Sequence, residues 1–218
     1  MFFYLDYFFR NDGLRFIQTA ENATSMMNVA LVPPLNNIFT GKEYTNAMFP
    51  HLVYVPYTAG EIVCTKVNPD ISIFLSSKFT GCAMAYFEHK EYGEFVAHIS
   101  LGLTGDTRAA WNAFIRREKN KITKYRIFKP LRHNSGMCHV FEGMYRNRIP
   151  TSCIGMISPD FECFSILVTD TKTSSFDINT PIMTEKIRPA FYHGSDFLYL
   201  ESSIDRFLIP ANAGSIEW

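Results

Sequence analysis

Cysteine is scarce in this chain, and no two cysteines stand at a metal-binding or redox spacing. The five cysteines lie at positions 64, 82, 138, 153 and 163, an odd number with no C-x-x-C pair. A disulfide framework is therefore not expected, and a reducing compartment fits this usage better. Cys138 and His139, taken with the two later cysteines, match no usual zinc spacing. We expect these side chains to serve packing, and we expect no metal or other cofactor.

The chain also lacks an excess of charge and a long apolar run. Lys plus Arg number 21, as do Asp plus Glu, so the formal net charge is zero. Nucleic-acid-binding proteins normally carry a basic excess, so no direct nucleic-acid partner is expected. The aromatic N-terminal segment MFFYLDYFFRNDG is too short to span a bilayer and lacks the basic region and cleavage site of a Sec signal peptide. Stable membrane insertion is therefore not expected.

Several common catalytic motifs are missing as well. The chain has no G-x-x-x-x-G-K-[ST], no G-x-G-x-x-G after a strand, no H-E-x-x-H and no G-x-S-x-G. A papain-like protease would need a helix directly after its cysteine and a distant histidine. The segment after Cys82 reads as a strand instead, which argues against that protease fold.

Core-forming residues are plentiful. The chain has 218 residues, of which 47% are hydrophobic and 20 are Phe, so a single domain over residues 1–218 is expected. Many short strand patterns with few helices predict an α+β fold of two packed sheets with helices outside. Helices are predicted at 2–10, at 202–207 and after Asp106, the expected N-cap of a helix whose apolar stripe is Ala110, Trp111, Phe114 and Ile115. Strands are predicted at 14–19, 27–32, 51–57, 122–128, 137–142, 153–157, 163–169 and 197–201, with a helix or bent segment at 70–79 and loops at 34–50 and 169–180.

The most informative segment runs from Phe79 to Leu101, FTGCAMAYFEHKEYGEFVAHISL. Two strand-like runs flank a charged, glycine-containing turn, which predicts a β-hairpin. If this hairpin turns about Lys90, Cys82 and His98 stand directly opposite each other on one face. Facing residues of an antiparallel pair have Cβ atoms roughly 5 Å apart.

A thiol and an imidazole held that close are the minimum for an activated cysteine nucleophile. The backbone N–H groups of Thr80 and Gly81 could then face a developing oxyanion, and a group of Ser76 or Ser77 could orient the imidazole. The alternative is structural: a buried cysteine beside a satisfied core histidine, in a non-catalytic interaction module.

These residues resemble a family, the cysteine glutamine deamidases of the Burkholderia lethal factor type, which also include the catalytic domain of cytotoxic necrotizing factor and the bacterial chemotaxis deamidase. The likeness rests on [ST]-G-C before a hairpin with a strand histidine. It also includes MNVALVPP, LVYVPYTAGEI, FVAHIS and AAWNAFIRRE, and covers residues 27 to 118. It implies a mixed-strand β-sandwich flanked by helices.

The resemblance implies a hydrolase that converts a glutamine of a host protein to glutamate through a cysteine thioester, as a bacterial toxin or effector does. Cys82 would be the nucleophile and His98 its base, joined in an ion pair that lowers the pKa of the thiol. Ser76 occupies the place, six residues before the cysteine, where two of these deamidases carry a Thr as third catalytic residue.

The implied partner is a host protein, either a translation-initiation RNA helicase, whose loss would inhibit translation and promote virulence, or a Rho-family GTPase. Transglutamination uses the same chemistry. The chain is expected to be a monomer that is secreted by a non-Sec route or delivered into the host cytosol. Substrate choice is expected in the loops at 34–50 and 169–180.

Overall fold

The computed structural model describes residues 13–22, 39–47, 49–68, 73–102, 105–132, 135–173, 176–187 and 190–192. Its helices are α1 (Gly13–Asn22), α2 (Arg108–Glu118) and α3 (Gly136–Arg146). Its strands are β1 (Phe39–Gly41), β2 (Tyr44–Thr45), β3 (Leu52–Tyr54), β4 (Ile62–Lys66), β5 (Ile73–Ser76), β6 (Ala83–His89), β7 (Gly93–Ile99), β8 (Leu101–Gly102), β9 (Gly105–Asp106), β10 (Ile122–Phe128), β11 (Thr151–Ile157), β12 (Cys163–Thr173), β13 (Phe176–Ile187) and β14 (Ala190–Tyr192). The predicted α+β class is confirmed.

The strands form two six-stranded sheets, and β8 and β9 form a separate short pair. Sheet I has the order β1-β4-β7-β6-β10-β14, and sheet II has the order β13-β12-β11-β5-β3-β2. Both sheets are mixed, because β1 pairs in parallel with β4 and β3 in parallel with β5, whereas their other pairs are antiparallel.

Three apolar layers hold the fold together. An inner layer lies between the sheets, where Val63, Met84 and Val96 of sheet I meet Phe74 and Leu167 of sheet II. Outer layers join α2 to sheet I and α1 to sheet II. Since the inner strands are covered on both faces, almost every residue of β6 and β7 is buried, and these strands are nearly continuous apolar runs.

The helix α2 places the predicted apolar stripe on sheet I. Trp111 is fully buried and donates its indole N–H to the Tyr125 hydroxyl at 2.9 Å, while Phe114 packs edge-on against Phe39. The N-cap is Thr107, which makes no side-chain cap bond. The prediction of Asp106 as N-cap is therefore wrong, because Asp106 ends β9 instead.

Two predicted strands are helices. The prediction of a strand at 14–19 is wrong, because Phe16, Ile17 and Ala20 repeat at helical spacing and pack on sheet II from α1. The prediction at 137–142 fails for the same reason, since α3 buries Met137, Cys138 and Phe141 in the inner layer. Ser135 caps α3 by accepting from the Cys138 amide at 3.1 Å.

Two other segments are more regular than their composition indicates. Residues 73–76 within the predicted helix or bend at 70–79 form β5. The predicted loop at 169–180 is wrong for its described residues, because β12 runs to Thr173 and β13 begins at Phe176. Within 34–50, β1 and β2 lie in a segment predicted to be loop. The predictions at 2–10, 27–32, 197–201 and 202–207 fall outside the described residues.

In the part of the chain that the structure describes, no helix has the length and apolar character needed to cross a membrane.

Candidate active site

A hydrogen-bonded pair crosses the gap between the two sheets. His98 lies on β7 of sheet I, and Ser76 ends β5 of sheet II. The Ser76 hydroxyl oxygen lies 2.6 Å from His98 Nδ1 and 2.6 Å from the carbonyl oxygen of Val55. Both side chains are buried, so this pair is fixed from both sheets in a layer made mostly of apolar side chains.

The three groups determine where the protons lie. The Val55 carbonyl can only accept, so the Ser76 hydroxyl donates its one hydrogen there. The Ser76 oxygen therefore accepts from His98 Nδ1–H, and Nε2 carries the lone pair of a neutral imidazole. Within the described residues, the buried Nε2 has no hydrogen-bond partner. An unpaired buried nitrogen is rare and requires an explanation, and here it has the form of a general base.

Burial sets the charge of His98. Removal from water lowers the pKa of this imidazole to about 3, so the ring is neutral at neutral pH. The expectation of a resting thiolate–imidazolium ion pair is therefore wrong. In the resting structure the imidazole is neutral, and its Nε2 accepts no hydrogen bond from the Cys82 sulfur.

Aromatic rings fix the plane of the imidazole. Phe79 stacks on His98 with ring centroids 4.3 Å apart and an interplanar angle of 12°, and Tyr57 contacts the imidazole at 5.3 Å. Gly155 pairs with Ser76 in the ladder, and a Cβ built there would lie 2.9 Å from Phe79 Cε2 and 3.0 Å from the Met84 sulfur. Only glycine leaves room for Phe79 to stack.

The hairpin register differs from the prediction. Met84, not Cys82, stands opposite His98, and Ala83 pairs with Ile99. The hairpin closes with His89 paired to Gly93, so the turn is centred one residue later than predicted. Gly93 has a φ of +89°, in the left-handed region. Cys82 directly precedes Ala83, so continuing the ladder by one residue would make it a diagonal neighbour of His98, a relation with Cα atoms roughly 7–8 Å apart. Cys82 packs in the inner layer, and His98 stacks on Phe79 of the same layer.

The two serines before the cysteine turn opposite ways. Ser76 approaches the imidazole, whereas the Ser77 hydroxyl lies 2.6 Å from the Tyr54 hydroxyl and contacts the Glu21 carboxylate. Within the described residues, the backbone N–H groups of Thr80 and Gly81 have no hydrogen-bond partner. Two unpaired amides directly before a cysteine leave donors available for an oxyanion.

The other cysteines and His89 are also buried. None of the five cysteines forms a disulfide, and all are buried. Burial raises the pKa of Cys64 and of Cys163 to about 12, so both thiols stay protonated and are poor nucleophiles. His89, which its charged turn predicts to be solvated, is 1% exposed and stacks on Tyr92. Among the described residues, no group of three His, Cys, Asp or Glu side chains could hold a metal ion.

A cavity of about 140 Å³ lies beside this site. Its lining residues are Tyr57, Lys78, Phe79, Thr80, Phe141, Thr151, Ser152 and Cys153. Sequence reasoning missed Tyr57 and Lys78, together with Gly155 behind the Phe79 ring. Tyr57 belongs to the quoted segment LVYVPYTAGEI, but no spacing rule connects it to the distant His98.

The chain matches no protein-family model, no curated protein and no solved structure. The family resemblance therefore stays a prediction.

The depressed pKa of His98 predicts a specific dependence of stability on pH. Below pH 6.5 the unfolded chain protonates this side chain, whereas the folded chain does so only near pH 3. The free energy of unfolding should therefore decrease as the pH is lowered from 6.5 towards 3, by up to about 1.4 kcal/mol per pH unit. Above pH 6.5 this pH dependence should vanish. We expect the difference between wild type and His98→Gln, measured by urea denaturation, to shrink as pH falls. A difference that stays constant across the window would contradict a buried neutral imidazole.

Proposed function

We propose that this protein is a cysteine-dependent glutamine deamidase that acts on a host protein, with Cys82 as nucleophile and His98 as general base. The observation that carries the proposal is the Nε2 lone pair of His98, which is buried and unpaired within the described residues while Ser76 holds the opposite ring nitrogen. Most buried polar groups are hydrogen-bonded, so an unpaired nitrogen opposite a well-held one supports a chemical role for this histidine.

The reaction follows from these groups. His98 Nε2 takes the proton of the Cys82 thiol as the sulfur attacks the carboxamide carbon of a glutamine side chain. The amides of Thr80 and Gly81 stabilise the oxyanion of the tetrahedral intermediate. The imidazolium then protonates the departing ammonia, which leaves a thioester. Water deprotonated by His98 attacks the thioester carbon, and glutamate and the thiol are released.

Ser76 acts in this scheme as a positioning residue. Its hydrogen bond holds the imidazole in the tautomer that presents a basic Nε2 and stabilises the positive charge formed after proton transfer. The deamidase resemblance places a Thr hydroxyl at this position, and serine supplies the same oxygen.

The proposed substrate is a folded protein rather than free glutamine. The resemblance offers two candidates, a translation-initiation RNA helicase and a Rho-family GTPase, and the wider likeness to the lethal factor type favours the helicase. A protein of this activity would act as a toxin or effector delivered to the host cytosol.

The proposal is tested by comparing free glutamine, a short glutamine peptide and the two intact candidate proteins as substrates. We expect ammonia release only with an intact protein, and mass spectrometry should locate the glutamine converted to glutamate. Cys82→Ser protein serves as the control. Equal turnover of free glutamine would point to a metabolic amidase, and activity on the GTPase alone would overturn only the substrate preference.

One observation favours a non-catalytic interaction module. Cys82 is only 3% exposed, as a structural cysteine would be. Selective alkylation of Cys82 by iodoacetamide, faster than that of Cys64 or Cys163, would exclude the module.

A further inference from the structure

The cavity beside His98 adjoins the proposed site but is not the place of reaction. Tyr57 and Phe79 line it and also contact the imidazole ring, and Thr80 lines it two residues before the nucleophile. Cys82 and His98 are not among its lining residues. A group bound there would therefore lie next to the carboxamide under attack.

Among the described residues that line this cavity, Lys78 is the only charged one. It is half-buried and has no hydrogen bond or ion pair within the part of the chain that the structure describes. A partly desolvated ammonium group without a counter-ion is unfavourable unless a ligand supplies one.

The backbone of Lys78 is also strained. Its φ of 63° is in the left-handed region, which disfavours residues with a Cβ by roughly 1–2 kcal/mol. Such residues cluster at ligand-binding and catalytic positions, where the surrounding structure holds them. Here the strain fixes a lysine in the connection from β5 to Cys82.

The remaining lining residues define the complementary ligand. Phe79 and Phe141 provide apolar walls, and the Tyr57 hydroxyl has no hydrogen-bond partner among the described residues. A cation and a hydroxyl donor over apolar walls suit an anionic oxygen group on a short hydrocarbon stem.

We propose that this cavity binds the carboxylate side chain of an Asp or Glu that neighbours the target glutamine, with Lys78 as its counter-ion. This inference rests on the proposed function and adds a substrate class to it: glutamines with an acidic neighbour are preferred.

The test uses two alkylating agents of similar size, iodoacetamide, which is neutral, and iodoacetate, which carries a carboxylate. Rate constants at Cys82 are measured by mass spectrometry on the full chain, for wild type and Lys78→Gln. We expect the iodoacetate-to-iodoacetamide rate ratio to fall about tenfold in Lys78→Gln, as loss of a nearby unit charge implies. Added salt should lower the wild-type ratio.

Two further variants make the result specific. Lys66→Gln removes an exposed lysine of β4 that reaches Gly93, at the end of the hairpin away from His98, and should leave the ratio unchanged. Lys78→Gly removes the same charge as Lys78→Gln, and glycine adopts the left-handed conformation without strain. This variant should therefore fold well and show the same fall in the iodoacetate-to-iodoacetamide rate ratio.

The outcomes separate the two proposals. An unchanged ratio in both Lys78 variants, with Cys82 still alkylated selectively by iodoacetamide, would overturn the carboxylate site and leave the deamidase proposal intact. Wild-type Cys82 that reacts no faster than Cys64 with iodoacetamide would overturn the proposed function, and the carboxylate site with it.

Discussion

Cys82→Ser protein is expected to lose deamidase activity by at least about a thousandfold while keeping its fold, because serine packs in the same space but is a much weaker nucleophile. His98→Ala should cause a comparable loss, since the proposed mechanism assigns every proton transfer to its imidazole. The measurement is ammonia release from an intact protein substrate, with a circular dichroism spectrum of each variant.

The matched control is Cys64→Ala. Cys64 is buried in the outer layer of sheet I and has no role in the proposed chemistry, so this variant should keep full activity per folded molecule. Ser76→Ala tests the positioning role. The activity lost in Ser76→Ala should be smaller than or equal to the activity lost in Cys82→Ser. The Nε2 atom of His98 can still act as a base in this variant, although the imidazole ring is less firmly oriented.

Full activity in Cys82→Ser would show that the nucleophile is misassigned. Loss of the folded state in both Cys82→Ser and His98→Ala would instead indicate that these side chains serve packing alone. Either result would remove the basis of the deamidase proposal.

Gly155→Ala is expected to damage stability and activity together. Its new methyl group would lie 2.8 Å from the Pro130 ring and 2.9 Å from Phe79, closer than real side-chain contacts allow. Phe79 is held between this glycine and His98, so relief of the clash moves the imidazole. We expect a fall of about 1–3 kcal/mol in the free energy of unfolding and an activity loss on the order of tenfold to a hundredfold.

Gly143→Ala provides the contrast. Gly143 lies inside α3, and a Cβ there would meet no atom within 4 Å. This variant should gain about 0.5–1 kcal/mol in the free energy of unfolding and keep its activity. Urea denaturation and initial rates on the same preparations check both. Unchanged activity in Gly155→Ala would contradict the role assigned to the Phe79 stack.

Sequence reasoning succeeded where a local pattern determined the structure. The strand at 122–128 and the apolar face of α2 depend on periodicity within one segment, and the structure has both. The hairpin that carries Cys82 and His98 was also predicted, since its two runs and glycine-containing turn are contiguous. Its register was not, because the turn length depends on the left-handed conformation of Gly93.

The failures have a common physical cause. Segments such as 14–19 and 137–142 are short apolar runs. Periodicity alone cannot assign such runs to helix or strand. Their secondary structure depends on the sheet or layer against which each one packs. The polar composition of 169–180 predicted a loop, but pairing between β12 and β13 extends the strands through it.

The arrangement around His98 was only partly predictable. The place of Ser76 before Cys82 predicts a hydroxyl that can orient the imidazole, and the structure puts this hydroxyl 2.6 Å from His98 Nδ1. The contribution of Val55 could not be read from the sequence, because a backbone carbonyl carries no residue signature. Gly155 was missed because it meets Ser76 only through the pairing of β11 with β5.

The hydrogen bond between Ser76 and His98 joins one sheet to the other, so the imidazole proposed as general base is oriented only when the two sheets have docked. A partly folded chain with both sheets formed but separated would keep its secondary structure and have an unoriented, solvated imidazole. The proposed deamidase activity should therefore appear at the final packing step of folding and disappear first on mild denaturation. Measured in this way, it would report directly on whether the interior between the two sheets has closed.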